Sequence, residues 1–230
     1  MLAPAPLERV TAAGVARSIW TTRADGDFHA DLVAPADLER RQRAVVDRPW
    51  TWLDEEHGAE VVTVGQPGDG AGRRADAAVT RATAAVLGVW VGDCAPVVLM
   101  SPEGVIGAAH AGWRGVVAGV LPNAVAAMRG LGAAQIEAHV GPCIHADCYE
   151  FGRADLDALA DRFGPTVRAT AATGTPALDL VAAVRARLAE VDVAVASIGP
   201  CTGCDAERFW SHRVRGELGR QAMAVWLEPV

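Results

Sequence analysis

The strongest constraint on the fold is a succession of short apolar runs in the middle of the chain. The runs cover residues 86–91, 96–100 and 105–109. They are separated by Gly-Asp (92–93) and by Ser-Pro-Glu-Gly (101–104). The second spacer is a turn signal that is typical of a hairpin. The sequence therefore predicts neighbouring strands of a buried sheet in this region.

Helical and strand patterns alternate along the rest of the chain. Helices are predicted over 33–46, 115–128, 154–163 and 177–188, with Pro122 kinking the second one or starting a new turn. Strands are predicted over 60–64, 135–140, 191–198 and 222–227, and an exposed loop over 65–74. Interleaved helices and strands with a hairpin indicate a mixed α+β class.

The chain length fits one large domain. A protein of 230 residues buries about 70% of the surface of its unfolded chain. The core can therefore hold the fold without disulfides, and no linker divides the chain. We expect a single domain over residues 1–230.

Composition excludes several functional classes. All 21 basic residues are arginine, so a lysine Schiff base and a P-loop lysine are absent. The net charge of −7 disfavours a general nucleic-acid binder. The number of cysteines is odd, five, and we expect no secretory leader, which together favour a reducing compartment. No uninterrupted apolar stretch is long enough to span a bilayer. We expect a cytoplasmic monomer with no membrane partner.

A candidate site lies around the predicted hairpin. Cys94 follows one predicted strand, and His110 ends another. Asp93 adds a carboxylate, and Arg114 stands at a glycine-flexed helix start where backbone amides favour anions. A buried inert thiol and a satisfied core histidine are the simpler alternative. The concentration of four chemical groups favours a site.

His57 is a candidate third member of this site. It precedes the predicted strand over 60–64, and by itself it fits a surface-loop histidine. With Cys94 and His110 it would complete a set of two histidines and one cysteine, which is known for catalytic zinc. Such a set leaves the fourth position open for water or substrate.

The remaining cysteines allow weaker alternatives. Cys201 and Cys204 have the spacing of a metal or redox pair, and Cys143 and Cys148 could complete a four-thiolate zinc site. The second pair has the wrong spacing and lacks a zinc-ribbon glycine pattern. A thioredoxin-like pair would need a helix N-terminus after a strand, which Pro200 disfavours.

The C-terminal segment concentrates aromatic, hydroxyl and cationic side chains. Ser211, Arg213 and Arg220 lie in it together with the pair Phe-Trp before the serine. Solvated or loosely paired surface arginines are one interpretation. The functional interpretation is a wall that binds an anionic or ring-bearing small molecule.

Taken together, these motifs resemble the YfiH-like, laccase-domain proteins, also called multicopper polyphenol oxidoreductases. The resemblance covers about residues 21–230 and preserves the order of the family's motifs. The matching strings are EHGAEVV (56–62), GDCAPVVL (92–99), HAGWRG (110–115), GPCIHADCYEFG (141–152) and CT followed by FWSHR and GR (201–220).

The resemblance implies a four-layer α/β/β/α fold similar to putative cysteine hydrolases. It also implies one Zn²⁺ at His57, Cys94 and His110. The segment containing Cys148 and Glu150 is implied as a neighbour of the pocket.

Members of the family are described as purine nucleoside phosphorylases. The resemblance therefore implies phosphorolysis of adenosine, inosine, guanosine or methylthioadenosine, with adenosine deamination as a second activity. In this hypothesis Arg114 places phosphate, and Asp93 or a nearby carboxylate transfers protons. The substrate contacts would come from Cys148, Glu150, Ser211, Arg213, Arg220 and Arg114.

The chain departs from the family pattern at three places. Glu55 stands where the family usually has Gln, and Gly92 stands where it usually has Ala. The glycine-rich stretch that normally follows Thr-Thr-Arg is replaced by residues 24–27.

Counting histidines tests the laccase name. A blue-copper centre takes two His and one Cys, and a coupled copper cluster needs many more histidines. Beyond His57 and His110, the chain has only four scattered histidines, His29, His139, His145 and His212. The sequence therefore disfavours copper oxidase activity.

Two rival functions stay open. One is a cysteine hydrolase with Cys94 as nucleophile and His110 as base, including removal of wrongly built peptidoglycan precursors. The other is a binding protein for nucleosides or cell-wall precursors that has no turnover.

Overall fold

The computed structural model describes residues 7–229 and consists of two stacked sheets with helices outside them. The first sheet has five strands in the order β1-β2-β13-β6-β3. Its strands are β1 (Leu7–Thr11), β2 (Gly14–Trp20), β3 (Trp50–Trp52), β6 (Val86–Val91) and β13 (Gln221–Glu228).

The second sheet has six strands in the order β12-β9-β7-β8-β5-β4. Its strands are β4 (Val61–Val64), β5 (Ala77–Thr80), β7 (Ala95–Met100), β8 (Ile106–Ala111), β9 (Glu137–Val140) and β12 (Ala194–Ile198). A separate pair consists of β10 (Arg168–Thr170) and β11 (Pro176–Leu178).

The described residues contain six α-helices, of which the first five pack against the outer faces of the sheets. They are α1 (Pro35–Val45), α2 (Trp113–Ala118), α3 (Val120–Gly130), α4 (Arg153–Phe163), α5 (Leu180–Ala189) and α6 (His212–Arg215). Gly119 separates α2 from α3 with a φ of 103°, a conformation that favours glycine.

Alternating apolar side chains explain why the two sheets stack. On β7, Val97 and Leu99 face the helices, whereas Val98 and Met100 pack between the sheets. The strand β13 alternates in the same way, with Val225 between the sheets and its neighbours packed on the outer side. Because both faces of these strands are buried, they are apolar throughout.

Three apolar clusters follow from this arrangement. One lies between the six-stranded sheet and helices α2 to α5, one lies between the sheets, and one lies outside the five-stranded sheet against α1. The order of layers is therefore helix, sheet, sheet, helix. This confirms the α+β class and the four-layer architecture that the resemblance implies.

The sequence located the central elements but missed several short or edge strands. The apolar runs form β6, β7 and β8, and β7 and β8 are the predicted hairpin. Pro122 lies in the first turn of α3, where a proline is tolerated. The prediction over 177–188 was wrong at its start, because residues 176–178 form β11.

The missed strands are β1, β2, β3, β5, β10 and β11. Polar residues interrupt some of them, and others have only three residues. None of the helices in the described part of the chain has the length and apolar character needed to cross a membrane.

Candidate metal centre and pocket

The register of the central hairpin brings Cys94 and His110 together. Pro96 on β7 pairs with His110 on β8, and Cys94 immediately precedes β7. The two side chains thus arise from the same end of adjacent antiparallel strands. This confirms the sequence-based expectation that the hairpin folds His110 back towards Cys94.

His57 reaches the same place from the loop before β4. Its φ of 61° lies in the left-handed region, which is uncommon for a residue other than glycine. The buried carboxylate of Asp76 accepts backbone N–H bonds from His57 at 2.8 Å and from Gly58 at 2.6 Å. These bonds hold the loop in its unusual conformation.

The ligand atoms of His57, Cys94 and His110 all lie within 4.8 Å of one another. The Nε2 atom of His57 is 3.7 Å from the Sγ atom of Cys94. Gly112 permits this approach, because a Cβ atom there would lie 2.7 Å from the His57 ring and 2.9 Å from Cys94 Sγ. The close packing makes glycine necessary at position 112.

Asp76 also orients His110. The Nδ1–H group of His110 donates to Asp76 Oδ1 at 2.8 Å, which leaves Nε2 for a metal ion. A carboxylate behind a metal-binding histidine is the usual arrangement for fixing its ring and tautomer. The three side chains therefore fit a metal ion with an open coordination position.

The charges at the cluster are strongly coupled. Burial raises the pKa of Cys94, but the imidazoles of His110 and His57 outweigh that effect and lower it to about 6. Burial lowers the pKa of His110, whereas Glu55, Cys94 and Asp76 hold it well above its usual value. The cluster consequently favours a thiolate, the form of cysteine that binds metals.

Glu55 is a second carboxylate beside His110. Its carboxylate lies 3.6 Å from His110 Nδ1, and its side chain is only 4% exposed. Burial raises the pKa of Glu55 to about 8. The carboxylate also accepts the backbone N–H of Trp90 at 3.0 Å, which ties this loop to β6.

The cluster forms part of the wall of a cavity of about 480 Å³. Three cations and three large aromatic residues contribute to the rest of the lining: Arg114, Arg213, Arg220, Trp90, Trp113 and Tyr149. Cavities of this size accommodate small-molecule ligands. The wall thus combines metal ligands, flat apolar surfaces and guanidinium groups.

Aromatic rings and carbonyl groups position two of the arginines. The Arg114 guanidinium lies 4.4 Å from the centre of the Trp113 ring. The Arg213 guanidinium lies 4.9 Å from the centre of the Tyr149 ring and donates to the carbonyl of Glu150. The helix α2 has only six residues, so its N-terminus has a weak dipole. The two guanidinium groups are therefore better hydrogen-bond donors to an anion than the backbone at the start of this helix.

Asp93 anchors the C-terminal segment to the site. Its carboxylate accepts bonds from Thr202 Oγ1 at 2.7 Å, Ser211 Oγ at 2.8 Å and the backbone N–H of Arg213 at 2.6 Å. These donors occupy both carboxylate oxygens. The contacts support a positioning role for Asp93, and proton transfer by Asp93 or a nearby carboxylate stays a prediction.

Some predicted substrate-binding residues lie outside the cavity lining. Cys148 is grouped with Cys201 and Cys204, and Glu150 accepts a bond from Thr173. Ser211 is fully buried and bonds to Asp93. Arg114, Arg213 and Arg220 do line the cavity, together with Asp93.

Sequence reasoning missed Asp76. It also missed His29 and Trp90, which line the cavity with their rings 4.8 Å apart. A lone acid at the start of an apolar strand was the available signal for Asp76. Its partners are remote in sequence, so the signal could not show what it binds.

Comparisons with known proteins agree on one family. Residues 13–228 match the family described as multi-copper polyphenol oxidoreductase laccase. A purine nucleoside phosphorylase of Streptomyces coelicolor is 40% identical over 208 residues, which cover 88% of this chain and 85% of the relative. An adenosine deaminase from an unknown prokaryotic organism is 35% identical over 196 residues, covering 81% and 71%.

A solved structure shows the same architecture. The crystal structure of the Neisseria meningitidis protein NMB0706 superimposes with a TM-score of 0.82 at 27% identity. The match covers 97% of this chain and 99% of the Neisseria chain. The layered fold described above is therefore shared over nearly the full length of both proteins.

Proposed function

We propose that this chain, which belongs to the multi-copper polyphenol oxidoreductase laccase family, is a zinc-dependent purine nucleoside phosphorylase. The observation that carries the proposal is the cluster of His57, Cys94 and His110, oriented by Asp76. The cluster opens into a cavity that also presents arginines and aromatic rings. Relatives named purine nucleoside phosphorylase support the substrate class.

The three ligands would hold zinc, which when bound supplies a Lewis acid at its open position. His110 contributes Nε2, because Asp76 occupies Nδ1. Cys94 contributes its thiolate, and His57 contributes a ring held by the strained loop. Asp76 thus positions two of the three ligands at once.

The aromatic rings of the cavity suit a purine base. Trp113 and Tyr149 both pack against Phe151 with ring centres about 5.5 and 5.4 Å apart, so their orientation is fixed. Flat aromatic surfaces bind heterocyclic rings, and the polar groups around them set the orientation of the ligand. Adenosine, inosine, guanosine and methylthioadenosine are the proposed substrates.

The arginines suit the second substrate, inorganic phosphate. Guanidinium groups bind phosphate through paired hydrogen bonds. Arg114, Arg213 and Arg220 all reach the cavity. In phosphorolysis they would hold phosphate for attack at the anomeric carbon of the sugar, while the purine leaves as the free base.

Deamination of adenosine is a second activity that we propose for the same cavity. The relative named adenosine deaminase supports it. In this proposal Asp93 keeps the C-terminal wall in place through its bonds to Thr202, Ser211 and Arg213. The metal ligands and the purine surface are shared between the two activities.

The substitution His110→Ala tests the proposal. We expect the protein to lose its zinc and its phosphorolysis of adenosine together, because Nε2 is removed from the cluster. Zinc content and the release of adenine, inosine and hypoxanthine are measured on the same samples. Phosphorolysis that survives loss of the metal would contradict the mechanism.

His139→Ala is the matched control. His139 lies on β9 and bonds to Ser197, away from the cavity lining. We expect this variant to keep both zinc and activity. Loss of both in the control would show that the effect of His110→Ala reflects general damage to the fold.

A cysteine hydrolase is the second candidate function, favoured by the 3.7 Å contact between Cys94 Sγ and His57 Nε2. Modification of Cys94 by iodoacetamide distinguishes the two functions. If zinc occupies the thiolate, zinc-loaded protein should react far more slowly than metal-free protein. Rapid reaction of the loaded protein would favour the hydrolase.

A further inference from the structure

A second group of potential metal ligands, which consists of three thiols, lies outside the lining of the cavity described above. The thiols of Cys148, Cys201 and Cys204 lie within 4.8 Å of one another, although Cys148 is remote from the other two in sequence. The Sγ atoms of Cys148 and Cys204 are 3.2 Å apart. Cys201 is buried, Cys148 is half-buried and Cys204 is exposed, so the group extends from the core to the surface.

The backbone fixes Cys201 from one side. Cys201 forms a parallel bridge with Cys143, and the N–H of Thr202 donates to the carbonyl of Cys143 at 2.9 Å. The N–H of His145 donates to Cys201 Sγ at 3.3 Å. The bridge and this bond together hold Cys201 in a fixed position.

The turn between Cys201 and Cys204 is packed directly against Cys148. A Cβ atom at Gly203 would lie 2.7 Å from Cys148 Cβ and 2.9 Å from its Sγ atom. Arg215 holds the other side of the turn by donating to the carbonyls of Gly203 at 2.8 Å and Thr202 at 3.1 Å. The three thiols are therefore brought together by a turn with little room to rearrange.

An open cavity of about 520 Å³ lies beside the thiols. It is lined by Pro200, Cys201, Cys204, Asp205, Ala206 and Glu207. Its wall carries two acidic residues, of which Asp205 is paired with Arg208 at 2.6 Å. Solvent can reach the sulfur atoms through it.

We propose that Cys148, Cys201 and Cys204 form a second metal site, which binds a soft, thiolate-seeking ion. Zinc(II) and copper(I) both prefer such ligands. On binding, each thiol releases its proton to solvent and its sulfur bonds to the ion. With zinc(II), a water in the adjoining cavity would complete the tetrahedron.

This site differs from the four-thiolate arrangement considered from the sequence. Cys143 is fully buried and lies outside the group, so the described residues do not form the four-thiolate arrangement. The spacing argument disfavoured Cys148 together with Cys143, but packing at Gly203 places Cys148 beside Cys201 and Cys204. Three sulfurs in mutual proximity also exceed what one disulfide would need.

The experiment uses Cys94→Ala as background, because this variant removes the only sulfur from the first cluster. The reduced, metal-free protein is loaded separately with Zn²⁺, with Co²⁺ and, under anaerobic conditions, with Cu⁺, and is then desalted. We expect Cys94→Ala to retain one zinc or copper ion per chain and, with Co²⁺, to show intense thiolate-to-cobalt absorption. The zinc and copper samples decide which ion the site retains.

The double variants Cys94→Ala/Cys204→Ser and Cys94→Ala/Cys143→Ala are the matched pair. The first should lose the bound ion and the cobalt absorption, and the second should keep both. A Cys94→Ala protein that retains neither zinc nor copper would overturn the proposal, as would an unchanged cobalt spectrum after Cys204→Ser. The single variant Cys204→Ser should leave phosphorolysis unchanged, which separates this test from that of the proposed function.

Discussion

The two groups of potential metal ligands are built in different ways. His57, Cys94 and His110 come from strand ends and a strained loop, and a fully buried carboxylate orients two of them. Cys148 ends a short 3-10 helix, Cys201 forms a bridge with Cys143 and Cys204 lies in the turn that follows, and their arrangement depends on backbone hydrogen bonds and one glycine. The first group faces a cavity lined by aromatic rings and arginines, whereas the second lies beside a cavity whose wall has two acidic side chains.

The difference shows that histidine and cysteine ligands need different kinds of support to bind a metal ion. A histidine has two nitrogens, so it needs a second residue to decide which one faces the metal. A thiolate has no tautomers and needs only proximity and charge compensation. The group with mixed ligands and an oriented imidazole is therefore the better candidate for catalysis, and the all-sulfur group is the better candidate for metal retention.

The largest expected effect comes from Asp76→Asn. This change weakens the support of His110 and of the His57 loop at the same time. We expect metal affinity at the first cluster to fall about 10- to 100-fold, with a loss of about 2 kcal/mol of stability. Metal titration and chemical unfolding measure the two effects.

The neighbouring exposed Asp54 provides the control for that prediction. Asp54→Asn should leave metal affinity unchanged, because its carboxylate is 4.0 Å from Arg74 and has no contact with the ligands. Equal losses in both variants would show that Asp76 has no special role. Retention of metal at the second cluster in Asp76→Asn would sharpen the contrast between the two groups.

The substitution Gly203→Ala should affect the second cluster and leave the first one intact, the opposite of Asp76→Asn. Its Cβ atom would displace Cys148, so we expect the second cluster to lose its ion and the protein to lose about 1–3 kcal/mol of stability. Metal at the first cluster and phosphorolysis should be retained. Gly130→Ala is the control, because a Cβ atom there meets nothing within 4 Å.

A carboxylate of the C-terminal segment, Glu217, should make the stability of the protein depend on pH. Burial raises the pKa of Glu217, but hydrogen bonds from Arg23, Ser211 and Arg215 outweigh it and lower the pKa to about 2. Because the folded pKa lies below the ordinary value of 4.5, the stabilisation is complete above about pH 4.5 and is lost as the pH falls towards 2.

Glu217→Gln tests this assignment. We expect the variant to be about 1–2 kcal/mol less stable than the wild type at neutral pH, after allowance for solvent screening. The difference should shrink as the pH falls from 5 to 3 in chemical-unfolding experiments. A constant difference over that range would contradict an electrostatic role for Glu217.

The smallest effect is expected for Glu55→Gln. A glutamine oxygen can still accept the N–H of Trp90, and the family resemblance places Gln at this position. We expect metal content and phosphorolysis to stay close to those of the wild type. A loss as large as that of Asp76→Asn would mean that both carboxylates hold His110 with equal importance.

The central part of the site was predictable because it depends on local order. The turn between β7 and β8 is short, so antiparallel pairing alone brings His110 near Cys94. The role of Asp76 was not predictable, because its bonds to His57 and His110 join segments that are distant along the chain. Likewise, the spacing of Cys201 and Cys204 could not identify Cys148 as their neighbour.

The sequence by itself determined the mixed α+β class, the central hairpin and the chemical inventory of the site. Apolar runs specify buried strands because burial of their side chains is the main driving force of folding. Only the tertiary structure decided which polar groups meet, since hydrogen bonds and metal ligation depend on distances of a few ångströms between remote segments. That is why Asp76 joins one group of ligands and Gly203 shapes the other.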